Sequence, residues 1–405
     1  MRASLELPRF SHVERDRRWR AVRSAMAKRG LDCLVLFGWP YHWDFTTANA
    51  RYLCPVGGNA EFNVLVFPAS GEPICFIPFF TFVDYWKIAQ DWVPDIRVKK
   101  GTWAKTITAC LTGLNLHKGR IGVDGLAGPL DPDGWLPYSV FAALKDDLSS
   151  AELISIDDML EHIRTVKSAE ELAFLRKAGS LGDLMLTTCR EEAKPGVPEA
   201  AVQSSMMRAM VANGGEEPTL FLWTCDANPF PHPFRLPTMR QMEKGDVITC
   251  EMHPKFGGYL THVERTFSLG PAAPERRRIY EGCLATYRTG MENFGPGRKI
   301  STAMQAVKDT IDVHGLGICE AGIHGHGLGS LEYPRFRHHA YEADRAALAT
   351  MEDAFKPGMV FAFNIDLFDP KWRDGKTGAV FAETVVITEH GAERLHSFSL
   401  ELQEL

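Results

Sequence analysis

The sequence predicts an α/β domain over residues 1–160 followed by an α+β domain over residues 161–405. Three observations carry this expectation. The first 160 residues alternate helical and strand patterns at short intervals. The remainder opens on two long helical patterns, then turns to strands, two more helices and strands again. The change of pattern falls within residues 157–167.

In the first domain, residues 13–29 are charged with helical spacing, and Gly30 supplies a stop. Cys33-Leu-Val-Leu-Phe37 is an apolar run suited to a buried strand. Residues 62–68 and 73–78 flank Ala69-Ser-Gly-Glu72 and predict a hairpin. A helix at 103–112, a strand at 120–124, a helix at 139–148 and a strand at 153–156 complete the alternation. In the second domain, Ser168 with Glu171 three residues later forms a capping-box pattern for a helix over 169–192. That helix ends before Pro195-Gly196, and a second spans 198–213. Strands are expected at 246–253 and 258–269, joined by a Gly-rich turn, then helices at 274–293 and 300–314, then strands at 359–366 and 379–388, mostly in antiparallel pairing.

Composition narrows the function. The 405 residues are 45% apolar and 24% charged, with a formal charge of −6, the balance of a soluble globular chain. A net negative charge without basic clusters argues against nucleic acid as a partner. No apolar stretch is long enough to span a bilayer, and residues 1–9 lack the apolar core of a secretory signal. Nine cysteines without a C-x-x-C pair predict free thiols in a reducing compartment, the cytoplasm.

The polar chemistry collects late in the chain, where ten of the fourteen histidines follow residue 230. By the period of two, Glu251 and His253 share one face of their strand, and His262 and Glu264 share one face of the next. A hairpin between the strands brings all four together; a solvated sheet face is the plainer alternative. Gly322-Ile-His-Gly-His-Gly-Leu-Gly329 frames His326 with glycines that permit close approach of a ligand or a second chain. A flexible loop with two exposed histidines fits the same residues. Asp226-Ala-Asn-Pro-Phe-Pro-His232-Pro233 places His232 in a loop stiffened by three prolines, which suits a general base and equally a plain surface loop.

Taken in order, these segments resemble the creatinase/prolidase ("pita-bread") family. The matching stretches are Ile163-Arg-Thr-Val-Lys-Ser-Ala-Glu-Glu-Leu172, His232, Gly245-Asp246, Gly258-Tyr259, Glu264-Arg-Thr-Phe267, Gly325-His-Gly-Leu-Gly329, Lys356-Pro-Gly-Met-Val-Phe361 and Glu389-His-Gly391. The resemblance implies a pita-bread catalytic domain over 161–405 behind a creatinase-like N-terminal domain over 1–160. Peptidases of the family hold two divalent ions with two Asp, one His and two Glu. At those positions this chain carries Glu251, His262, His326, Asn364 and Ala382, with Glu383 one place late.

That departure resembles metal-free creatinase. It implies a metal-independent hydrolase of a non-peptide C–N bond in a small nitrogenous metabolite, with no cofactor and no dinuclear peptidase site. In that expectation His232, Glu264 and His326 are catalytic: His232 is general base and then acid, Glu264 binds a cationic amidine-like group, and His326 steadies developing charge. Glu251, His262, Asn364, Glu383 and Arg335 or Arg337 bind substrate. A second expectation is a lyase or hydrolase using one divalent ion held by Glu251, His262 and His326, with His253 or Asp366 as a fourth ligand. A third is a non-catalytic binding scaffold. The resemblance also implies a homodimer with shared active sites, in which Trp39, Tyr41, His42, Trp43, Phe45 and Arg51 face the partner's pocket, although no arginine occurs at residues 59–61 to reach across.

Overall fold

The computed structural model describes residues 7–41, 44–58, 61–127, 133–217, 220–232, 235–337 and 353–405. The chain divides into two compact units, Met1–Arg164 and Thr165–Leu405. His42, Trp43, Asn59 and Ala60 lie outside the described residues.

The first unit is a six-stranded sheet with helices. Its strand order is Ile96–Val98, Ile74–Ile77, Asn63–Pro68, Cys33–Gly38, Arg120–Val123 and Glu152–Ser155. Cys33–Gly38 pairs antiparallel with Asn63–Pro68 and parallel with Arg120–Val123, so antiparallel and parallel pairings meet in one sheet. The helix His12–Arg29 starts where Ser11 accepts from the Glu14 N–H and ends at Gly30 in the left-handed conformation. Trp39, expected toward a partner, belongs instead to the core with Phe37, Ile107 and Val123. Tyr41 is exposed.

The second unit is built on a ten-stranded sheet. Its main path runs Glu332–Arg337, Gly317–Gly325, Val360–Phe368, Ala382–Thr388, Val263–Ser268, Val247–Met252 and Phe221–Asp226, each pair antiparallel. Ser168 and Glu171 form the reciprocal capping box at the start of Ala169–Glu192. That helix packs beside Glu199–Ala212, and Leu181, Met185 and Met206 meet Trp223, Cys250 and Phe267 of the sheet. Pro274–Asn293 and Ile300–Val313 cover the other half, where Tyr287, Phe294 and Met304 meet Phe361, Phe363 and Phe381.

The period of two then decides the site. Cys250, Met252, Val263, Phe267, Ile323, Phe363, Ile365 and Phe381 face the helices. Their neighbours Glu251, Glu264, His324, Asn364, Asp366 and Ala382 must point to the opposite face.

Candidate metal centre and active site

One row of residues crosses that open face. Glu251 stands opposite Glu264, Glu264 opposite Ala382, Ala382 opposite Asn364, and Asn364 opposite Gly322. Two carboxylates therefore occupy one end of the row. A methyl group, an amide and a glycine occupy the rest.

Beside the carboxylates sits a histidine cluster. His253 follows its strand directly and His262 precedes the next. Their rings lie 4.7 Å apart, centroid to centroid. His326 lies 5.2 Å from His253 and 5.9 Å from His262, and His324 lies 5.7 Å from His262. One ligand nitrogen from each of His253, His262 and His326 lies within 4.8 Å of the others, and Glu251, His262 and Glu264 form a second such group. Nε2 of His262 is 3.2 Å from Glu264 and 3.7 Å from Glu251. Nε2 of His253 is 3.4 Å from Glu251.

Burial sets the protonation of this cluster. His262 and His326 are held well below the usual histidine range, first by burial and then by neighbouring histidines. His324 is pushed down to about 3 by burial and then by the charge of Arg337. Neutral imidazoles are the form that binds a metal. Both ring nitrogens of His253 and of His326 lack a hydrogen-bond partner of normal geometry. Buried polar atoms are ordinarily satisfied, so ring nitrogens converging in a buried site suit an electrophile such as a metal ion. Three imidazoles with an adjacent carboxylate fit a single divalent ion.

A second group lies along the same face. Nδ1 of His232 is 2.8 Å from Asp366, whose side chain is fully buried. The His232 loop is fastened by its prolines: the Pro229 carbonyl accepts from Thr377 Oγ1 at 3.0 Å and from the Gly378 N–H at 3.4 Å. Asp366 and Glu264 are each held well above the usual carboxyl range by burial. The charge of Asp366 raises Glu264 further, and those of Glu320 and Glu251 raise Asp366.

Several expectations can now be placed. The structure brings Glu251, His262, Glu264 and His326 together, with Asn364 in the row and His232 reaching Asp366. Arg335 stands opposite His324 at the sheet edge, and Arg337 is 3.2 Å from Glu320. Glu383 is not in the site. The alternation turns it to the helix-covered face, where it is wholly buried in an ion pair with Arg265. The glycine-histidine segment is no exposed loop: Gly317–Gly325 is a strand, and His324 and His326 are buried. Asp366 is directed to His232 and stands outside both metal-type groups.

The sequence places His253 on the Glu251 face and offers it, like Asp366, as a fourth ligand, while it gives His324 no role. Each sits two residues from a residue already singled out, Glu251, Asn364 and His326 respectively. The strand period was the signal that places them.

The chain matches metallopeptidase family M24 over residues 173–389 and the creatinase/prolidase N-terminal domain over residues 18–166. It is 27% identical to an Xaa-Pro dipeptidase of Pyrococcus furiosus over 67% of this chain and 74% of that protein. It is 23% identical to the creatinase of a Bacillus species over 96% and 92%. Among solved structures, the prolidase of Pyrococcus horikoshii superposes with a TM-score of 0.74 at 20% identity, covering 95% of this chain and 99% of that one. An Xaa-Pro dipeptidase from Bacillus anthracis gives 0.76 at 20%, covering 96% and 100%. These structures share the fold, a creatinase-type N-terminal domain before a pita-bread domain.

The matches correct the functional expectation. A metal-independent, creatinase-like hydrolase without cofactor is overturned by the metallopeptidase match, by dipeptidase relatives and by the metal-type clusters at His253, His262 and His326 and at Glu251, His262 and Glu264. The expectation that set it apart from metallopeptidases falls with it. With residues 173–389 of its 405 matched, this chain is a member of metallopeptidase family M24, carrying a creatinase/prolidase N-terminal domain.

Proposed function

We propose that this protein is a metal-dependent hydrolase cleaving the amide bond of a small peptide-like substrate. The substrate class follows relatives named as Xaa-Pro dipeptidases. The observation that carries the proposal is the set of three buried histidines with ring nitrogens converging beside Glu251. His253, His262 and His326 would hold the ion, with Glu251 as the neighbouring carboxylate. Such an ion, when bound, supplies Lewis acidity to a carbonyl or a water.

The chain's own groups handle the protons. Hydrolysis puts hydroxide on the carbonyl carbon, leaves the C–N electron pair on the departing nitrogen and delivers one proton to that nitrogen. His232 is the group for the transfer. Its side chain keeps 16% exposure, while His253 and His262 keep 3% or less. It takes the proton from water and passes it to nitrogen. Glu264, on the same face as Asn364, offers its carboxyl to a polar group of the substrate. Asn364 offers an amide to the substrate, and Arg335 makes one edge cationic.

The test is metal-depleted protein reconstituted with Zn²⁺, Mn²⁺, Co²⁺ or Fe²⁺ and assayed on a panel of dipeptides. Cleavage restored by one of these ions supports the proposal. Cleavage that is indifferent to the ions, or no cleavage with any ion, rejects it.

Two finer points belong to the same proposal. Two-fold association is the commonest oligomeric state, and a light-scattering mass of twice the chain supports it while a monomer mass rejects it. Nine free cysteines suit a reducing, cytoplasmic setting. Among the described residues, no helix is long and apolar enough to cross a membrane.

A further inference from the structure

We propose that Asp366 is the positioning residue of His232, fixing its proton on Nδ1 and leaving Nε2 as the nitrogen that exchanges protons with substrate. This rests on the proposed role of His232 and goes beyond it by naming the group that sets its tautomer.

The geometry carries the inference. Oδ2 of Asp366 is 2.8 Å from Nδ1 of His232, the separation of a charge-assisted hydrogen bond. With Asp366 ionised by pairing with the imidazole, its carboxylate only accepts, and the nitrogen facing it bears the proton. The other nitrogen, Nε2, is then the one that carries the ring's lone pair. The imidazolium that results is stabilised by the buried charge beside it, the role a buried aspartate plays toward the histidine of a serine-protease triad.

Both ends of the contact are fixed. Asp366 lies within the strand Val360–Phe368, whose flanking residues Ile365 and Leu367 are buried in the core beneath the sheet. The His232 loop is tied through the Pro229 carbonyl to Thr377 and Gly378. Pro231 packs so close to Gly378 that a Cβ there would lie 2.7 Å from Pro231 Cβ. Glu264 lies on the same sheet face and, like Asp366, is wholly buried. Asp366 stands outside both metal-type groups, and its loss should spare metal binding.

The test uses the full-length protein labelled with ¹⁵N-histidine. Two-bond ¹H–¹⁵N correlation reads the tautomer, and His232→Gln identifies the His232 signals by their loss. The expected result is a proton on Nδ1 in the wild type and its migration toward Nε2 in Asp366→Ala. Asp366→Asn, of equal size, serves if the alanine variant misfolds, because an amide donates as well as accepts and no longer dictates the tautomer. In parallel, Asp366→Asn should lower kcat on the dipeptide the wild type cleaves by roughly 100-fold, with KM and metal content little changed.

A wild-type His232 protonated on Nε2 would overturn the inference, as would an Asp366 variant with unchanged tautomer and kcat. If the wild type cleaves no peptide at all, the proposed function fails, while the tautomer measurement still decides the role of Asp366.

Discussion

Thr384 takes up both backbone polar groups of His262: its Oγ1 accepts from the His262 N–H at 2.6 Å and donates to the His262 carbonyl at 2.8 Å. The contact sits on a seam. The strands Val263–Ser268 and Ala382–Thr388 share a single paired position, Glu264 with Ala382. Side chains do the rest of the joining. Arg265 donates from Nη1 to the carbonyls of Glu264 and Ala382 at 2.8 and 2.9 Å, and Thr266 meets Val380 at 3.0 Å. The ladder opens where it passes beneath the site, which frees His262 to leave strand geometry and turn its ring toward His253 and His326.

Thr384→Val keeps the shape and removes the hydroxyl. Two buried backbone groups of His262 then lose their partner, at about 1–3 kcal/mol each. The expected outcome is a lower unfolding midpoint in urea and weaker divalent-ion binding in a chelator competition. Thr384→Ser should restore both. A valine variant that matches the wild type in both measurements would show that the hydroxyl holds nothing.

Lys167 and Glu332 make a buried ion pair at 2.8 Å, their side chains 2% and 1% exposed. Glu332 also accepts from the Gly329 N–H at 3.0 Å, so the pair pins the turn after His326. Glu332→Ala should cost about 3–5 kcal/mol, because it strands a buried ammonium. Lys167→Met combined with Glu332→Leu should recover much of that loss. A denaturant double-mutant cycle checks this, and additive losses in the double variant would contradict it.

Asp183 contributes to the acid limb of stability. Burial alone would raise its pKa, but His396 and the Ser397 hydroxyl and N–H outweigh burial and hold it below the usual carboxyl range. Its oxygens accept from the Ser397 N–H at 2.8 Å and the Phe398 N–H at 3.0 Å. A depressed native pKa means that the stabilisation is present above the unfolded value, about 3.9, and is lost as pH falls toward the native value. Asp183→Asn should therefore destabilise at pH 7 by about 1–3 kcal/mol and flatten the loss of stability below pH ~4. Parallel acid limbs for the two proteins would refute the assignment.

Gly322 shows why part of the site was hidden in the sequence. A Cβ there would lie 2.1 Å from the Phe336 carbonyl oxygen, so glycine is required by the close passage of the neighbouring strand. Gly322→Ala should destabilise by about 1–3 kcal/mol through strand displacement, measurable as a lowered Tm. An unchanged Tm would contradict the packing.

Glycines at 322, 325, 327 and 329 suggest a loop when only local propensity is considered. Here two of them belong to a strand, since sheet pairing on both sides overrides propensity. Where the period of two was unobstructed, the sequence was informative. The period of two places Glu251, His253, His262 and Glu264 on one face, and the capping box at Ser168 and the helix Pro274–Asn293 follow from local chemistry. The same alternation, applied to Ala382 and Glu383, separates the residue on the site face from the one paired with Arg265. The partnership of Asp366 with His232 joins residues 134 positions apart, and no local pattern encodes it. The expectation of a metal-free site rests on the missing bridging carboxylates, and the M24 match and the remaining nitrogen donors at His253, His262 and His326 overturn it.

The most direct measurement is the divalent-ion content of protein purified without affinity nickel, incubated with each candidate ion and desalted, for wild type and His262→Ala. The proposed centre predicts about one ion per wild-type chain, little in the variant, and dipeptide hydrolysis that chelation abolishes and the same ion restores. A wild-type chain that retains no divalent ion, or hydrolysis that survives complete chelation, would contradict a metal centre built on His253, His262 and His326.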